Sequence, residues 1–255
     1  MSSPRPPARP APPTALLAHR RVHSGHGHLW WQRAWALFLR APLVWGLMGL
    51  ILMAAGLIIS TVPLVGAVAL ALGGPVVIGG WLLSLQRLEQ GEPPGIQGLF
   101  ICFEAPWVRP LLSLGLFNLA VMLGLELALH VLGAGAALSM LVGLLAGGSG
   151  SVAGLMAGLG GALLALALML LAATVLSMAL WFAPALVALQ GVPPRQALQA
   201  SVAAALANTP AMLVYGLLGA LAMLLATLAL GLGWLLLLPL TLISMYTSWQ
   251  DVYGG

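Results

Sequence analysis

Lysine is absent from this 255-residue chain, and charged residues of all kinds make up only 5% of it. An ordinary soluble domain carries about 25% charged residues. So few charges cannot cover a water-facing surface, so the solvent for most of this chain must be lipid. A single cysteine, Cys102, excludes an internal disulfide framework. Acidic residues number five against nine arginines, and the high pI of about 10.2 rests on those few groups. It therefore says little about nucleic acid, and none is expected as a partner. Catalytic patterns are missing too: no Ser–His–Asp set, HExxH, phosphate-binding loop or redox CxxC occurs. The chain reads as a non-enzyme, with no cofactor implied.

What is present is apolar: 61% hydrophobic residues and a mean hydropathy of +1.07. The expected class is all-α, a polytopic membrane protein. Spans need about 20 mostly apolar residues. Six stretches qualify: residues 43–60, 64–85, 111–132, 156–189, 211–230 and 232–248. Gly73, Gly74 and Pro75 interrupt the second, Pro184 kinks the overlong fourth, and Pro239 lies in the sixth. The Gly-rich segment 133–154 is too short and broken to span, and reads as an outer loop with an interfacial or re-entrant turn.

Arginine placement orients the spans. Arg5, Arg9, Arg20, Arg21, Arg33 and Arg40 precede the first; Arg87 and Arg109 flank the second loop; Arg195 follows the fourth. Six spans put all nine on one side, which the positive-inside rule makes cytoplasmic, with both termini inside a bacterial inner membrane. Residues 1–28 form a disordered tail rich in Pro, His and Arg, and 29–255 the membrane domain. The tail has no apolar core of a signal peptide, and Arg20-Arg21 lacks the apolar segment of a twin-arginine signal. His19, His23, His26 and His28 cluster there as a weak metal candidate against the plainer reading of a polar tail beside head groups.

A repeat at an offset of one hundred links Trp81 to Trp181, Gln90-Gly91 to Gln190-Gly191, Pro93-Pro94 to Pro193-Pro194 and Pro110 to Pro210. Gly releases a helix and Pro forbids its continuation, so each Gly-x-Pro-Pro reads as a hinge at a helix exit. After each hinge comes a short amphipathic stretch: Ile96, Phe100 and Phe103 in one, Leu198, Val202 and Ala205 in the other. Trp31, Trp35 and Phe38 show the same spacing before the first span. The expected plan is three hairpins, each preceded by an interfacial amphipathic helix, in units of about 29–85, 86–189 and 190–253.

Several stretches, notably Ala34-Trp35-Ala36-Leu37-Phe38-Leu39-Arg40-Ala41-Pro42, Val62-Pro63-Leu64-Val65-Gly66, Leu180-Trp181-Phe182-Ala183-Pro184 and Ser248-Trp249-Gln250-Asp251-Val252-Tyr253, carry a resemblance. The chain resembles a family of uncharacterised proteobacterial six-helix inner-membrane proteins. More distantly, its plan is similar to the membrane domain of glycerophosphodiester phosphodiesterases. The resemblance implies location and topology, and no activity.

Ionisable groups within a span are costly and often functional. In the third span Asn118, Met122, Glu126 and His130 recur every four residues on one face, a candidate intramembrane polar site beside the plainer reading of a solvated helix end. Two functions remain open. One is a scaffold, assembly or regulatory component working beside the lipid bilayer and other inner-membrane proteins. The other is a transporter or lipid-handling permease, which needs a polar cavity between the repeat hairpins.

Overall fold

The structure, a computed structural model, describes residues 18–229 and 231–254. The proline run and Arg5 and Arg9 of the expected tail lie outside them. The described residues are helical and contain no strand. In order they form α1 (His26–Phe38), α2 (Pro42–Ser60), α3 (Val65–Glu89), a 3-10 helix (Ile96–Phe103), α4 (Val108–Ala146), α5 (Gly148–Trp181), α6 (Ala183–Gln190), α7 (Pro194–Ala207), α8 (Thr209–Leu228) and α9 (Trp234–Tyr253). Proline stands in the first turn of α2, α6, α7 and α8, where its missing N–H costs no helical bond.

Among the described residues five helical stretches are long and apolar enough to cross a membrane: Pro42–Ser60, Val65–Glu89, Val108–Ala146, Ser151–Gln190 and Thr209–Leu228. The expected sixth, α9, is not among them. Its second half carries Ser244, Thr247, Ser248, Gln250 and Asp251, and every residue from Ile243 to Trp249 is buried. A helix buried on all sides belongs in a core, and α9 packs against α1, α2, α3 and α8.

The segment 133–154 departs from expectation. It is not a loop: α4 runs on to Ala146, turns at Gly147 with φ +66°, and α5 begins at Gly148. The glycines serve packing instead. A Cβ on Gly154 would lie 2.4 Å from Gly143 Cα and 2.6 Å from the Ser139 carbonyl oxygen, so the two helices meet backbone to backbone. At 39 residues, α4 is about 58 Å long at 1.5 Å per residue. That is nearly twice a hydrocarbon core of about 30 Å.

Three other expectations change. Residues 18–28 are not free: Arg20 N–H donates to the Val252 carbonyl at 3.0 Å, and α1 starts within the expected tail at His26. Residues 96–103 form a 3-10 helix, in which Phe100 and Phe103, three apart, share an exposed face with their rings 6.3 Å apart while Ile96 lies off it; Gly98, Leu99 and Cys102 are its buried residues. The matching stretch after Gln190 is α-helical. Third, α3 passes through Gly73, Gly74 and Pro75 unbroken. The two Gly-x-Pro-Pro glycines do adopt alike conformations, with φ +91° at Gly91 and +68° at Gly191, each directly after a helix or its last turn. The partnered tryptophans differ. Trp81 is fully buried against Trp45, whereas Trp181 donates to Ser248 Oγ at 3.0 Å.

Candidate functional site

Pro75 has no N–H, so the Ala71 carbonyl one turn earlier loses its helical partner. Asn118 Nδ2 donates to that carbonyl at 3.3 Å. Asn118 reaches it because α3 and α4 touch one turn away: a Cβ on Gly115 would lie 2.3 Å from the Leu72 carbonyl oxygen. Asn118 is thus a structural contact of α3. It does not join Glu126 and His130, although all three share the spacing seen in the sequence. Among the described residues those two pair only with each other, His130 Nδ1 to Glu126 Oε1 at 3.4 Å, and both side chains are about two-thirds exposed or more, at 73% for His130 and 66% for Glu126.

The break at Pro184 is bridged the same way. α5 ends at Trp181 and α6 begins at Ala183. Between them, the Phe182 N–H donates to Ser201 Oγ at 3.0 Å, and that hydroxyl donates to the Met178 carbonyl at 2.6 Å. A fully buried hydroxyl from α7 is therefore inserted in the i to i−4 bond that Phe182 and Met178 would otherwise make.

The richest polar cluster lies at the end of α9, around a carboxylate that the sequence reading did not single out. Asp251 has no exposed side-chain surface. Its Oδ1 faces Arg20 at 2.6 Å and Arg33 at 3.5 Å, and its Oδ2 faces His26 Nδ1 at 2.6 Å and accepts from Trp30 Nε1 at 2.8 Å. Arg20 Nε also donates to the Asp251 backbone carbonyl. Burial on its own would raise this carboxyl. The hydrogen bonds from Trp30, His26 and Arg20 outweigh it and hold the group below the usual carboxylate range. Asn208, also buried, clamps the same strand of chain: its Oδ1 accepts from Val22 N–H at 2.7 Å and its Nδ2 donates to the Arg20 carbonyl at 3.1 Å. Together these groups strap residues 20–33 onto α8 and α9.

The four histidines are separated by this strap. His26 is held by Asp251, His23 Nδ1 accepts from Gly25 N–H at 3.2 Å, and His19 meets the edge of Tyr253. Among the described residues no three His, Cys, Asp or Glu side chains gather. Glu89, the last residue of α3, accepts from Tyr246 Oη at 2.7 Å and from Gln250 Nε2.

The centre is filled by large side chains. Trp30, Trp45, Trp81, Phe182, Leu186 and Tyr246 are buried in one cluster. Tyr215 stacks on Trp31, meets Trp181 edge-on and shares a 2.6 Å hydrogen bond with Ser244. The described grooves open instead on the outer face and are apolar. Two of them, of about 450 and 410 Å³, lie along α4, α5 and α7. Comparison of the chain with protein-family models, curated proteins and solved structures finds no match.

The missed residues had one weak signal. Asp251 is the sole acid after Glu126 and follows a long apolar run. Its partners lie more than two hundred residues earlier, and no local spacing relates the two ends.

Proposed function

We propose that this chain is a non-enzymatic scaffold or assembly component of a bacterial inner membrane, with six spans in three hairpins and both termini cytoplasmic. In this reading residues 232–248, which include most of α9, are the sixth span, shielded from lipid by the others, and the arginines set the orientation. The proteobacterial resemblance belongs to the same proposal. The observation that carries it is the α4–α5 arm. Among its 39 residues α4 buries only Leu111, Leu114, Gly115 and Gly143. With Glu126 and His130 near the outer interface, the arm continues for on the order of 20 Å beyond them. That extension exposes Leu138, Leu141, Leu144, Leu145, Val152 and Leu155. An exposed apolar patch of this kind marks an interaction surface, and its fitting occupant is the apolar flank of another membrane protein.

The permease reading has less support. It needs a polar cavity beside Pro75 and Pro184, and those positions are occupied by the Asn118 and Ser201 hydrogen bonds and a Trp-rich core. The deciding experiment is photo-crosslinking from Leu141 and Leu155 in native membranes. A discrete protein adduct at both positions supports the scaffold. Adducts to lipid alone, with a small molecule co-purifying, support transport instead. A reporter fused after Gly254 tests the orientation, and an external signal overturns it.

A further inference from the structure

Two outer grooves adjoin where α4, α5 and α7 meet. One, of about 450 Å³, lies among Phe117, Val175, Leu198 and Val202. The other, of about 410 Å³, continues along Val121, Leu125 and Leu171 and shares Phe117 and Val175 with the first. From Phe117 to Ala128 they follow α4 for roughly 16 Å at 1.5 Å per residue. Open apolar grooves of this length suit a methylene chain.

Two arginines stand at the helix starts that precede these grooves. Arg109 stands in the first turn of α4 and Arg195 in the first turn of α7. Both are exposed. Neither is in an ion pair among the described residues. A cavity of about 190 Å³ lies between the two helix starts, with Pro106, Trp107 and Pro110 on one side and Gly191, Pro193 and Pro194 on the other. Pro110 and Pro194 thus border one small space, and an arginine adjoins each. The nearest acid along the chain, Glu104, is exposed and pairs with neither arginine. Gln199, one turn beyond Arg195 on the same face of α7, lines the large groove. Beside Gly191, Gln190 Oε1 is buried without a donor.

We propose that these features form a site for one anionic phospholipid. Arg109 and Arg195 hold its phosphate, and the groove floored by Phe117 takes an acyl chain. Guanidinium groups match phosphate oxygens in geometry and charge. A zwitterionic head group brings its own ammonium, which two arginines repel; an anionic one does not. The site presupposes a bilayer and is independent of whether the α4–α5 arm docks a protein.

The test is native mass spectrometry of the full chain in mild detergent, titrated with palmitoyl-oleoyl phosphatidylglycerol or phosphatidylcholine. One phosphatidylglycerol is expected to bind in preference to phosphatidylcholine. In the Arg109→Gln/Arg195→Gln variant its binding falls by about tenfold or more, the equivalent of about 1.4 kcal/mol. Gln199→Trp, an exposed position that fills the groove mouth, weakens both lipids while the melting temperature stays put. Excess inorganic phosphate does not displace the lipid. Equal binding of the two lipids, unchanged binding in either variant, or displacement by inorganic phosphate overturns the proposal; the last would mean a site for a free anion.

Discussion

Asn118 supplies to the Ala71 carbonyl the hydrogen bond that Pro75 withholds from it. The two residues are 43 positions apart and on different helices, and each makes sense only with the other. A double-mutant cycle reads this directly. Asn118→Leu alone leaves a buried carbonyl unsatisfied and destabilises by about 1–3 kcal/mol. In a Pro75→Ala background the alanine N–H serves Ala71, and the same change costs little. Unfolding in mixed micelles measures both, and equal costs in the two backgrounds would rule out this coupling.

Ser201 predicts a comparable loss. Ser201→Ala strips a partner from both Phe182 N–H and Met178 C=O, for about 1–3 kcal/mol. Because the hydroxyl separates α5 from α6, hydrogen exchange at Phe182 should quicken by more than at α2 amides. Uniform acceleration would indicate a general loosening instead.

The Asp251 strap has a defined pH dependence. The carboxyl sits below its unfolded value of about 3.9. Its contribution is therefore complete above that value and is lost as pH falls through the folded pKa. The Arg20 amide, bonded to the Val252 carbonyl, should stay protected from exchange at about pH 5. Asp251→Asn should expose it at every pH, with a stability loss of about 1–3 kcal/mol. A strap that remains protected in that variant would show that Asn208 suffices to hold it.

Cys102 should be inert in the folded protein. It is fully buried, and burial pushes its thiol up to about 12. At pH 8 the thiolate is on the order of one part in ten thousand. Maleimide should label the chain only after denaturation in sodium dodecyl sulfate; labelling of the native protein would contradict the packing of the 3-10 helix.

The glycines of the arm divide into two kinds. Gly154→Ala places a methyl group against Gly143 backbone and should splay α4 from α5. Gly160→Ala meets nothing within 4 Å and should stabilise α5 by about 0.5–1 kcal/mol, the usual gain over glycine within a helix. Thermal melting should therefore move in opposite directions, and a shared direction would place the helix contact elsewhere.

Much was legible in the composition. A chain with 5% charge and long Leu/Ala runs must be helical and lipid-solvated, because only helices satisfy their own backbone there. The helix exits at Gly91 and Gly191 were equally readable, since positive φ and a following proline pair are local chemistry. Length and partnership were not. The glycines of 133–154 looked like loop because, without a neighbour, glycine only weakens a helix. Opposite a second helix the same residues permit contact, and α4 continues through them. Glu126 and His130 stood out because charges in an apolar run are conspicuous, yet they face outward and pair locally. The polar groups that the fold uses, Asn118, Ser201 and Asp251, take their meaning from carbonyls, amides and cations far along the chain. The sequence by itself determined the solvent, the helical class and the helix exits at Gly91 and Gly191, all set by properties of single residues or short stretches. Only the tertiary structure decided which backbone groups needed rescue and which side chains provide it, because buried hydrogen bonds depend on the geometry between helices.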